Sequence, residues 1–159
     1  MGWTANLPAV YSSLILDGTT PQDPEPADSQ RWQNPSGLNS HYHPGASYEM
    51  RSEIVNPGGH GHQACYGVSG VILTDGVAAG TADRSHWSNM VGATSHAELD
   101  VLPFIRACQL DGNAVTGTWL NRNLTRPIMH SGTYVGKYLE VRPVLAEPSR
   151  QIAPGTPCP

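Results

Sequence analysis

The chain has 159 residues, enough for one domain that buries about two-thirds of the surface its unfolded form exposes. Its 13 acidic and 9 basic residues give a formal charge of −4, and Lys137 is the one lysine, so no basic stripe exists to neutralise nucleic-acid phosphates. No apolar run reaches the roughly 18 residues needed to cross a bilayer, and residues 1–18 lack the basic start, unbroken apolar centre and cleavage site of a signal peptide.

Glycine (17) and proline (14) are abundant, a composition of loops and short strands rather than long amphipathic helices. The three cysteines, Cys65, Cys108 and Cys158, have no C-x-x-C spacing, which excludes a zinc ribbon or a thioredoxin-like pair. A Cys65–Cys108 disulfide and two buried thiols both remain open. The scarcity of lysine among many Ser, Thr and Asn residues points to an extracellular or exported protein.

In chain order, residues 11–16 read as a first strand. Residues 17–40 hold four prolines and the acids Asp23, Glu25 and Asp28, and read as an extended proline-rich arm anchored by Trp32. Residues 46–55 alternate, with Tyr48, Met50, Ser52 and Ile54 on one face and Glu49, Arg51, Glu53 and Val55 on the other, which predicts a strand with one buried face. After the Pro57-Gly58-Gly59 loop, residues 63–67 and 71–74 form a hairpin around Ser69-Gly70.

One main helix is expected over about 100–110. Asp100 as N-cap accommodates Pro103 in the first turn and is preferred to Ser95, whose capping-box partner would be Glu98. Asp111-Gly112-Asn113 ends the helix, which should cover the sheet. Residues 114–120, 128–130 and 134–144 read as further strands, and 146–159 as a proline-rich tail. The expected fold is β-rich α+β, a single domain over 1–159: a small, mostly antiparallel sheet, one covering helix, and long Pro/Gly-rich loops.

Two H-x-H pairs, His41/His43 and His60/His62, flank the alternating strand. Residues two apart on an extended segment face the same side, so these four imidazoles form a candidate zinc site. The spacing from His41 and His43 to Glu49 resembles a cupin motif, but the glutamate lies one residue too far on and no second motif follows, so no family is implied. A metal-free alternative uses His86 or His96 as general base, oriented by Asp83 or Asp100, with Arg84 stabilising negative charge and Tyr66 or Cys65 as donor or nucleophile. The candidate catalytic set is therefore His60, Asp83, Arg84, His96 and Tyr66. Two functions are expected: a small hydrolase acting on an extracellular or cell-wall polymer, or a non-catalytic module that binds carbohydrate or joins a homo-oligomer or larger assembly through its proline-rich arm and tail. Neither involves nucleic acid or a membrane span.

Overall fold

The computed structural model describes residues 6–7, 9–18, 20–22, 36–37, 43, 45–76, 78–89, 91–112, 132–141 and 151–152. At its centre is an antiparallel sheet of order β4-β5-β6-β7, formed by Ser36–Gly37, Tyr48–Arg51, Gly61–Tyr66 and Ala82–Asp83. Further short strands form two more pairs: Val10–Tyr11 (β1) runs parallel to Gln151–Ile152 (β8), and Ile15–Asp17 (β2) forms a hairpin with Thr20–Gln22 (β3). With few helices beside it, this is an α+β arrangement.

The register of β5 on β6 sorts side chains by chemistry. Tyr48 lies opposite Tyr66 and Met50 opposite Ala64, and these residues join Val10, Tyr11, Leu14 and Ile72 in an apolar core. The intervening pairs, Glu49 with Cys65 and Arg51 with Gln63, fall on the other face because side chains alternate along a strand. Pairing of Gly61 with Asp83 extends that second face onto β7. The predicted alternation of 46–55 thus holds over Tyr48–Arg51 and Ser52, whereas Ile54 and Val55 are exposed.

The hairpin after β6 also forms, in shortened guise. Gly70, at φ 76°, closes the turn through its N–H to Gly67 O at 2.9 Å, and the returning segment is held by Leu73 N–H to Cys65 O. That segment then leaves β6 and rejoins it at Gly80. A Cβ there would run into Gln63 O and stand 2.9 Å from Ala64 Cα, so only glycine lets the backbone close in before Thr81 O takes the Gln63 N–H.

Helical structure departs from expectation in three ways. It begins before Asp100, as a π-helical turn over Ala97–Val101, with Ser95 Oγ accepting the Glu98 N–H at 3.3 Å. Pro103 explains the wide turn: it has no N–H to give Leu99 O and its ring would crowd that carbonyl, and the Leu102 N–H reaches back to Ala97 O instead. Asp100 is thereby released from capping. Second, helix α1 (Leu102–Leu110) packs Phe104, Ala107 and Cys108 on a second helix rather than acting as a lone cover for the sheet. Third, that second helix, α2 (Thr133–Val141), takes up residues 134–141 of the segment read as a strand over 134–144, the remainder of which lies outside the described residues. Its alternation is short enough to fit both periods, and Val135 and Tyr138 are one helical turn apart, facing α1. Asp111, just past α1, decides the matter by accepting the N–H groups of Tyr134 and Val135.

The predicted strands over 114–120 and 128–130 lie outside the described residues. Within the proline-rich arm, 20–22 and 36–37 are strands, and within the tail, 151–152 pair with β1. No helix among the described residues is long and apolar enough to cross a membrane. Replacing Gly80 by Ala should lower stability by more than about 2 kcal/mol, because the obstructing atoms are backbone and cannot turn aside. Urea unfolding checks this, and a change within about 0.5 kcal/mol would show that the approach at Gly80 is not needed.

Candidate functional site

The second face of the sheet carries Glu49 and Arg51 from β5, Gln63 and Cys65 from β6, and Asp83 from β7. Against it stands the turn that begins at His96. Asp100, buried, is the connector: Oδ1 accepts the Arg84 N–H at 2.8 Å and Oδ2 accepts the Ser85 N–H at 2.9 Å, fixing the chain just after β7. Its own backbone carbonyl accepts the Tyr138 hydroxyl of α2 at 3.0 Å.

His96 sits one turn before Asp100, and its surroundings assign its tautomer. Nδ1 faces two acceptors, Ser85 O at 3.1 Å and Asp100 Oδ2 at 3.2 Å, so Nδ1 bears the hydrogen. Nε2 then presents its lone pair, which accepts from Arg51 Nη1 at 3.3 Å. The same Nη1 donates to Asp83 Oδ2 at 3.1 Å, and Nη2 lies 3.9 Å from Glu49 Oε2. Two carboxylates, on Glu49 and Asp83, share this one guanidinium, and the Asp100 carboxylate is joined to it through the His96 ring.

Asp83, His96 and Asp100 each offer a ligand atom within 4.8 Å of the others, so the group could hold a metal ion. Two carboxylates and an imidazole are a donor set that divalent metals take. Arg51 stands between Asp83 and His96 Nε2, and an ion using both would have to displace it.

The candidates named from sequence divide. Asp83 and His96 meet in this cluster. Arg84 contributes its backbone, through its N–H to Asp100 and its carbonyl, which accepts from His60 Nδ1 at 2.7 Å; its side chain is exposed. His60 is thus tied to the edge of the cluster, in a loop shaped by Asn56 Oδ1, which accepts the N–H groups of Gly58 and His60. Tyr66 does not belong to the site: it lies on the apolar face, fully buried, with its hydroxyl donating to Tyr11 O at 3.2 Å.

The four-histidine set is not assembled among the described residues, and His41 lies outside them. His62 pairs with Ala82, which turns its side chain to the face opposite Gln63. His43 is on the Gln63 side, buried, with Nδ1 2.8 Å from Ala79 O and Nε2 3.1 Å from Gln63 Oε1. Burial holds its pKa down at about 4, against an ordinary 6.5. His86 is a clasp rather than a base: Nδ1 accepts the Ser88 N–H and Nε2 donates to Ser52 O at 2.8 Å, beside the Trp87 indole N–H on the same carbonyl.

Cys65 and Cys108 are buried thiols with no disulfide between them. Desolvation first, then Glu49, drives the Cys65 pKa far up, so it is no nucleophile; burial likewise raises Cys108, to about 11. Sequence reasoning missed Arg51 as the centre of the cluster. The available signal was its place beside Glu49 on the polar side of an alternating strand.

No protein-family model, curated protein or solved structure matches this chain. Asp100→Ala removes the acceptor for two backbone N–H groups and for His96 at once, and should destabilise the protein by about 3 kcal/mol, with Asp100→Asn falling between it and the parent. Urea unfolding of the three proteins measures this order; an Asp100→Ala protein as stable as the parent would remove Asp100 from its connecting role.

Proposed function

We propose that this is a small hydrolase-like domain whose reactive group is His96, acting on an extracellular or cell-wall polymer. One observation carries the reading: a carboxylate fixes one imidazole nitrogen while the other presents its lone pair to a guanidinium, at a cluster where the His96, Glu49 and Arg51 side chains are partly exposed. Asp100 holds the Nδ1–H tautomer and stabilises the imidazolium formed when Nε2 takes a proton from attacking water. Arg51 must leave Nε2 for that proton to arrive, and once turned toward the substrate it supplies positive charge for a developing oxyanion.

Zinc is the cofactor proposed for the metal-dependent form of this chemistry. Asp83, His96 and Asp100 would hold it, and it would supply Lewis acidity and a more acidic bound water. The lysine-poor, Ser/Thr/Asn-rich composition supports an extracellular setting, and so a polymer substrate.

The test is hydrolysis of a panel of peptidoglycan, glycan and peptide polymers by the parent protein and His96→Asn, before and after zinc addition, with metal content measured on the purified protein. The expected result is turnover that falls about 10²–10⁴-fold in His96→Asn while its circular dichroism is unchanged. Equal activity in the two proteins, or none on any polymer under either condition, would overturn the proposal.

A further inference from the structure

Asp83 is buried, and among the described residues its ion-pair partner is Arg51, whose Nη1 stands 3.1 Å from Asp83 Oδ2. A buried carboxylate needs a counter-charge, and here a guanidinium supplies it. The same Nη1 is 3.3 Å from His96 Nε2, so one side-chain nitrogen occupies the ground between two of the three residues able to hold a metal ion. This cation does an ion's electrostatic work.

Arg51 is not locked there. Its side chain is 19% exposed, and Nη2 lies 3.9 Å from Glu49 Oε2, a gap that a small rotation of a long side chain turns into a hydrogen bond. Glu49 precedes it on the same strand by one alternation, so the two side chains share a face. The guanidinium thus has two carboxylates to choose between, one on β7 and one on β5.

We infer that Arg51 is the resident cation of the site, and that the guanidinium and a divalent ion hold Asp83 in alternation. Binding of the ion by Asp83, His96 and Asp100 sends Arg51 to Glu49, and loss of the ion returns it. This exchange rests on the zinc reading above and supplies its control. It holds for either nitrogen of His96: an ion on Nε2 replaces Nη1 itself, and an ion on Nδ1, the side of Asp100 Oδ2, still needs Asp83. Two cations on one carboxylate at contact distance repel strongly in a partly buried site, so the guanidinium, which has another partner, moves.

Two consequences distinguish an exchange from a site that merely lies near an arginine. Arg51→Gln leaves Asp83 a buried carboxylate without its cation, which lowers stability but frees a ligand, so zinc binds more tightly and restores the lost stability. Glu49→Gln removes the carboxylate that receives the guanidinium, so Arg51 is harder to displace and zinc binds more weakly. Arg51→Lys keeps a competing charge beside Asp83, and with it the affinity of the parent.

Zinc titrations by calorimetry, with urea midpoints taken in EDTA and in zinc, compare the full chain with these three variants. Arg51→Gln is expected to bind zinc about 10–100-fold more tightly than the parent, the affinity equivalent of one charge-assisted hydrogen bond, and to gain more stability from it. The gain should vanish when Asp83→Asn is added, which excludes zinc held by surface histidines. Glu49→Gln is expected to bind about tenfold more weakly, and to make little difference once Arg51→Gln is also present. Equal zinc affinity in the parent and Arg51→Gln would overturn the exchange and leave the zinc reading standing, as would an equal gain in Arg51→Lys or a gain that survives Asp83→Asn. Zinc bound by none of these proteins would overturn the exchange and the zinc reading together. Should Arg51→Gln fail to fold in EDTA, zinc is expected to refold it, and an unchanged affinity in Glu49→Gln then overturns the exchange.

Discussion

The register between β5 and β6 is the constraint on which the rest depends. Along their paired stretch, Tyr48 and Met50 with Tyr66 and Ala64 alternate with Glu49 and Arg51 with Cys65 and Gln63. A slip of one residue would send Tyr48 and Met50 to the polar side and bring Glu49 and Arg51 against Val10, Tyr11 and Leu14. Burying two unpartnered charges is far more costly than the loss of a few ladder hydrogen bonds, so the hydrophobic core and the candidate site enforce each other's placement. Gly80 belongs to this constraint, since the return of the chain onto β6 positions Asp83 opposite Gly61.

The site is closed from the other side by a residue freed from an ordinary task. Asp100 would be a conventional N-cap had the helix begun at Val101. Because Ser95 starts the helical turn and the π-helical geometry accommodates Pro103, the Asp100 carboxylate can reach the Arg84 and Ser85 N–H groups and the His96 ring. Two backbone N–H groups hold the carboxylate in place, and its Oδ2 then faces His96 Nδ1 and helps set the tautomer of that ring. The link from helix geometry to imidazole chemistry is therefore direct.

How much of this could be read from the sequence follows from how local each cause is. The alternation around Met50, the Ser69-Gly70 turn and the Asp111-Gly112 helix stop are all set by neighbours a few residues away, and all three are present. The segment 134–144 misleads because its cap, Asp111, lies more than twenty residues earlier, and a nine-residue run cannot distinguish periods of 2 and 3.6 without that contact. The H-x-H pairs illustrate the opposite error. Same-side geometry within each pair is a local property, but whether two pairs meet depends on the sheet, and His62 is turned away from the face that His43 approaches. His96 and Asp100 carried a true signal in their four-residue spacing. Arg51 carried only a weak one, its place beside Glu49, because an arginine on the polar side of a strand ordinarily faces solvent.

Arg51 ties β5 and β7 to the turn that carries His96, and its position is a balance. Its guanidinium has Asp83 and His96 at hydrogen-bond distance and Glu49 slightly farther, at 3.9 Å. A divalent ion held by Asp83 would weaken the pull on that side and favour Glu49. Movement of Arg51 toward Glu49 would uncover the lone pair of His96 Nε2, which the guanidinium otherwise occupies. A single side chain thus links the carboxylates on β5 and β7 to the availability of a base on another element, without any movement of the strands that hold them.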